Sequence, residues 1–120
     1  MPLQDANLPE GMRWHRRLRV GGWSNALFGP EGATAANEGR PVTPAAGIQV
    51  DAARHTVSLT LPAAALGHQS TLSGARIYIT TWDYDGGYRA LTPEPRPFSM
   101  GSDAGMSAKV MDASAVIVLP

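Results

Sequence analysis

Trp82, Asp83, Tyr84, Asp85, Gly86, Gly87, Tyr88 and Arg89 gather three aromatic rings, two carboxylates and a guanidinium around a glycine pair. Flat aromatic faces stack on the apolar faces of pyranose rings, and nearby carboxylates, amides and guanidinium groups bond sugar hydroxyls in pairs. Trp82, Tyr84 and Tyr88 are the stacking candidates. Asp83, Asp85 and Arg89 are the polar candidates, with Trp23 and Asn25 as contributors from another strand. The competing reading places Trp82 in the core and Tyr88 over a hairpin, because large rings fill interiors as readily as they meet ligands.

Other chemistries find less support. Asp83 and Asp85, two apart on a strand, place their Cα atoms roughly 6.6 Å apart, which is compatible with a glycosidase carboxylate pair. Such pairs flank a cleft, and a hairpin end does not build one unaided, so these aspartates read as turn formers. No serine stands in a GxSxG setting, and His15, His55 and His68 lack short metal-ligand spacing, so each histidine reads as structural or exposed. The run DYDG, residues 83–86, matches part of a calcium loop. The further oxygen ligands and the terminal Glu are absent, so a calcium site would need ligands from elsewhere and no cofactor is expected. No catalytic constellation emerges, and the chain reads as a non-enzyme.

The composition sets the frame for these residues. A chain of 120 residues is expected to form one domain over 1–120, with material for a single core. Ten basic and ten acidic side chains cancel, and no apolar run reaches the length of a bilayer crossing. An uncharged or small partner is therefore expected, with neither nucleic acid nor a membrane span. The lack of cysteine removes disulfides, thiolate metal sites and cysteine nucleophiles, and leaves the redox compartment open. The start MPLQDANLPEG has no basic region followed by an apolar one, so export requires a leader outside this sequence. Arg13, His15, Arg16, Arg17 and Arg19 form a basic stretch that could be a phosphate-binding stripe. Trp14, Leu18 and Val20 alternate with Arg13, His15, Arg17 and Arg19, however, which is the pattern of a half-buried strand with one solvated face.

The elements that must position the aromatic segment are almost all strands. Strands are expected over 12–20 and 23–28, with Gly21 and Gly22 bending the chain between them. Residues 29–47, rich in Gly, Pro and Ala without apolar periodicity, read as a long loop. Ile48 and Val50 belong to a short strand, DAAR at 51–54 makes a hairpin connection, and Val57, Leu59 and Leu61 alternate with Thr56, Ser58 and Thr60 in the next strand. Pro62 followed by AAAL fits one helical turn that Gly67 ends. A strand over 75–84 places Ile77, Ile79, Thr81 and Asp83 on one side and Tyr78, Thr80, Trp82 and Tyr84 on the other. Asp85-Gly86-Gly87 then turns the chain into a return strand at 88–91. Pro93, Pro95 and Pro97 each remove a ladder donor, so that stretch reads as an edge or connector. Residues 109–119 form a closing strand interrupted by the DAS segment. The total of about seven or eight short strands with one helical turn predicts an all-β chain, an antiparallel sandwich.

The stretches RIYITTWDYDGGYRALTPEP, GIQVDAARHTVSLTLPAAALG and VMDASAVIVLP together resemble the C-terminal glucodextranase-type DOMON-like module attached to bacterial starch- and glucan-degrading enzymes. The resemblance runs from about Trp14 to Pro120 and is most specific at TWDYDGGYR. It implies a β-sandwich of the DOMON and carbohydrate-binding-module class, immunoglobulin-like in architecture, without catalytic residues. It further implies α-glucan as partner, an extracellular or periplasmic setting, and a role for Trp82, Asp83, Asp85, Tyr88 and Arg89. Two departures stand out. The N-terminal half of the longer family module, with its acidic Gly-Asp-Asp segment, has no counterpart here, and MGSDAG replaces a glycine-rich pair. A shortened sandwich leaves an edge or face open, so the chain is expected to be a fragment or to form a homodimer through that opening.

Overall fold

The computed structural model describes residues 1, 7–21, 25–82 and 110–120. The described residues are strands, turns and one 3-10 turn, and every strand pairing is antiparallel, as expected of an all-β chain. Two compact units make up the chain.

The unit of Arg13–Ala33 and Glu38–Thr71 holds a three-stranded sheet, a hairpin and the 3-10 turn. In the sheet, β1 (Arg17–Val20), β2 (Asn25–Gly29) and β3 (Arg40–Val42) lie in that order, with Leu18 opposite Leu27 and Leu27 opposite Val42. This apolar row buries Leu27 to 2 % exposure. On the other face Arg17 stands opposite Phe28 and Phe28 opposite Pro41.

The long loop expected over 29–47 is corrected in part, because β3 lies inside it. Arg40–Val42 has too few residues to show an apolar alternation, and its pairing with β2 comes from the tight return at Gly39. Gly39 has φ +100°, and a side chain there would run into the Gly29 carbonyl oxygen and lie 3.3 Å from the Trp14 ring. Only glycine satisfies both conditions.

The hairpin of β4 (Gly47–Asp51) and β5 (Thr56–Thr60) pairs Ile48 with Leu59 and Val50 with Val57. Its connection is closed by the Arg54 amide donating to Asp51 Oδ1 at 3.0 Å, the local bond expected of an aspartate before a turn. Ala63–Leu66 is the 3-10 turn, with Pro62 at its N-cap. His68 N–H donates to Ala63 O at 2.8 Å and Gly67 N–H to Ala64 O at 3.1 Å, while Gly67 takes φ 75°. These paired bonds around a left-handed glycine form a Schellman ending. Arg16 Nε donates to Ala65 O at 2.7 Å and ties the turn to the approach to β1.

In the unit of Met1–Met12, Thr34–Asn37 and Leu72–Pro120, the strand expected over 75–84 is divided. β6 (Arg76–Ile77) pairs with β9 (Ile117–Val118), and β7 (Thr80–Trp82) pairs with β8 (Val110–Ala113). The break falls where a side chain enters the ladder: Ser114 Oγ accepts from the Ile79 amide at 3.0 Å, and the Ser114 amide donates to Ile79 O at 2.9 Å. This is the interruption expected near the DAS segment, seen from both partner strands. Arg76 donates from Nη2 to Gly11 O at 3.1 Å and anchors the N-terminal stretch of the same unit. Among the described residues no helix is long and apolar enough to cross a membrane.

Candidate functional site

Trp82 closes β7, and its register with β8 is irregular. Thr81 faces Asp112, yet Trp82 faces Val110, so Met111 is an extra residue in the ladder. A bulge of this kind bends the strand and re-aims the side chain beside it. Thr80 and Trp82 share one side of β7, and they and Tyr78, in the break before it, are half-buried. The aliphatic side is the wetter one, with Ile77 at 40 % and Ile79 at 54 % exposure. Tyr78 and Trp82 are therefore more covered than Ile77 and Ile79, though only half-buried.

Asn25 opens β2 opposite Val20. Its side-chain amide nitrogen donates to the Ala46 carbonyl, and its Oδ1 is buried without a hydrogen-bond partner among the described residues. The amide is thus committed to joining β2 to the segment before β4, where Ala46 is 6 % exposed. Trp82 and Asn25 fall in different compact units. Trp23, Asp83, Tyr84, Asp85, Tyr88 and Arg89 lie outside the described residues, as does the return strand expected at 88–91.

A second group of residues was not legible as a unit from sequence. The face expected to be solvated is exposed at Arg13 and His15 but is corrected at Arg17 and Arg19, whose side-chain exposures are only 15 % and 28 %. Their guanidinium carbons lie 5.2 and 5.9 Å from the centroid of the Phe28 ring, so the two cations cover it. Glu38 enters from the connection before β3, and its Oε1 accepts from Arg17 Nη2 at 2.8 Å and lies 3.1 Å from Arg19 Nη1. Alternation along β1 correctly separates arginines from aliphatics. It cannot reveal a ring on the neighbouring strand or a carboxylate nineteen residues beyond Arg19, which are what draw the arginines out of water. The visible signal is Glu38 followed directly by Gly39, the residue whose conformation carries the chain into β3.

At the rim of the same sheet, Arg40 Nη2 lies 3.5 Å from Glu31 Oε1. The Glu31 carboxyl is held below its ordinary value chiefly by a hydrogen bond from its own backbone; desolvation opposes this, and Arg40 and then Arg16 lower it further.

The described strands are antiparallel, and the class of protein, a binding module, follows from the family to which the chain belongs. The family model that matches is the C-terminal binding module, SLH-like, of glucodextranase, over residues 4–117, and the chain belongs to this family. The match spans both compact units. No curated protein and no solved structure matches the chain significantly. The family is that of a binding module, not of a catalytic domain, which agrees with the non-enzyme reading of the sequence.

Proposed function

We propose that this chain is a non-catalytic carbohydrate-binding accessory module that binds or positions α-glucan for a glycoside hydrolase. The observation that carries the reading is its membership in the family of glucodextranase C-terminal binding modules. The aromatic-acidic run that begins at Trp82 supplies the chemistry: rings for pyranose faces, and carboxylates and a guanidinium for hydroxyls. The reading keeps residues 1–120 as one module of the DOMON-like class that the sequence resembles. Asp83 and Asp85 are assigned no catalytic role.

A purely structural or surface-attachment module is the second reading. It is favoured by the half-burial of Tyr78 and Trp82 and by the commitment of the Asn25 amide to Ala46. Native electrophoresis through gels cast with α-glucans and β-glucans separates the readings. Retardation by an α-glucan without release of reducing sugar is the expected result. Equal mobility in every gel supports the structural role, and sugar release would identify an enzyme.

A further inference from the structure

The face of the three-stranded sheet that carries Phe28 has two positive charges and one negative charge. Arg17 and Arg19 converge on a single atom, Glu38 Oε1, at 2.8 and 3.1 Å. Neither arginine has another hydrogen-bond or ion-pair partner among the described residues, and the Nε of each is buried without one. No second carboxylate of this unit is left for them. Its six arginines, at 13, 16, 17, 19, 40 and 54, face only Glu31, Glu38 and Asp51. Glu31 is paired with Arg40 at 3.5 Å and Asp51 with Arg54 at 3.8 Å.

The Arg17 and Arg19 side chains are also ordered in advance, resting on the Phe28 ring and shielded from most of the solvent. An arriving anion does not have to immobilise them, and a charge-assisted bond gains strength where water is partly excluded. Arg19 is the more exposed of the two, at 28 %, and marks the accessible side.

We propose that the Arg17–Arg19 pair is a binding site for one oxyanion, a carboxylate or phosphate group, held by the terminal guanidinium N–H groups that Glu38 leaves unused. The proposed site draws on none of the residues of the aromatic segment. The oxyanion is either a free inorganic ion or an acidic substituent on a glycan.

Nitrogen-detected NMR of the arginine side chains tests this, with chloride replaced by inorganic phosphate at constant ionic strength. The signals of the buried Nε–H groups of Arg17 and Arg19, which sit beside the terminal donors, should shift saturably. The signal of Arg54, whose side chain is 83 % exposed, should not. A parallel titration uses a glucuronate-containing oligosaccharide. Saturation by phosphate alone identifies an inorganic ion as the ligand, and saturation by the oligosaccharide identifies a glycan substituent. Arg19→Gln leaves Arg17 and Glu38 as a neutral pair, so the fold is kept, and it should weaken binding by about tenfold; Arg54→Gln should change nothing. The proposal is overturned if neither titrant gives a saturable shift, or if Arg19→Gln binds as the wild type does. Retardation by a neutral α-glucan is read separately, so either proposal can fail alone.

Discussion

Glu38 is the residue on which the β1 face depends. With its side chain 16 % exposed and two guanidinium groups against it, its loss leaves both cations partly desolvated with no counter-charge. Glu38→Gln should destabilise the fold by about 2–3 kcal/mol, the scale of losing a charged hydrogen bond within a largely buried pair. Urea unfolding of the two proteins measures it, and unchanged midpoints would show that the cluster contributes nothing.

Glu31 gives a second test at this scale. Its lowered pKa means that the attraction it makes is present above the ordinary carboxylate range and is lost as pH falls through the folded-state pKa. Arg40→Gln should move that pKa only part of the way back, because the backbone bond remains. A carbon-detected titration of the Glu31 carboxyl reads the shift. For the proposed sugar face, Tyr88→Ala should weaken α-glucan binding about tenfold while the thermal midpoint stays within about a degree or two. Equal binding, or a loss that tracks unfolding, would remove Tyr88 from the site. Trp82 is the poorer probe because it is half-buried.

At the scale of elements, two glycines separate conformational cost from steric cost. A methyl group at Gly67 meets nothing closer than 3.7 Å, so Gly67→Ala is burdened only by its φ of +75° and should cost about 1–2 kcal/mol. Gly39→Ala combines φ +100° with collision against the Gly29 carbonyl oxygen and should cost more, about 3 kcal/mol or above. Thermal unfolding of both variants should preserve that order. The same return makes β3 part of the sheet, so a nonspecific protease should cut within 30–37 and spare Arg40–Val42, which is paired to the buried β2. Cleavage at 40–42 as early as at 30–37 would contradict the pairing.

For the whole molecule, the apolar surface that remains is the notable quantity. In the β4–β5 hairpin, Ile48 and Leu59 are 40 % and 48 % exposed and Val50 and Val57 are 67 % and 58 % exposed, in directly opposed pairs. Ile77 and Ile117, also opposed, are 40 % and 44 % exposed. Aliphatic pairs of this kind normally face a covering layer. We propose that the isolated chain self-associates, as expected of a module with an open edge or face. Sedimentation over a wide concentration range should show mass rising with concentration, and Val50→Thr with Val57→Thr should reduce the rise. A monomer throughout, with one sharp melting transition, would show that the chain needs no second copy.

Sequence alone determined the all-β class, the β4–β5 hairpin with its DAAR connection, the proline-to-glycine 3-10 turn and the break near DAS. Each rests on alternation or turn chemistry, which act over a few neighbouring residues. It also separated the arginine side of β1 from the aliphatic side. What only the tertiary structure decided was the environment of those sides: that Arg17 and Arg19 lie over Phe28 and share Glu38, that residues 40–42 join β2, that Asn25 is tied to Ala46, and that Tyr78 and Trp82 are more covered than Ile77 and Ile79. The physical reason is that strand alternation assigns a side chain to a face but carries no information on what that face meets, which depends on partners distant along the chain.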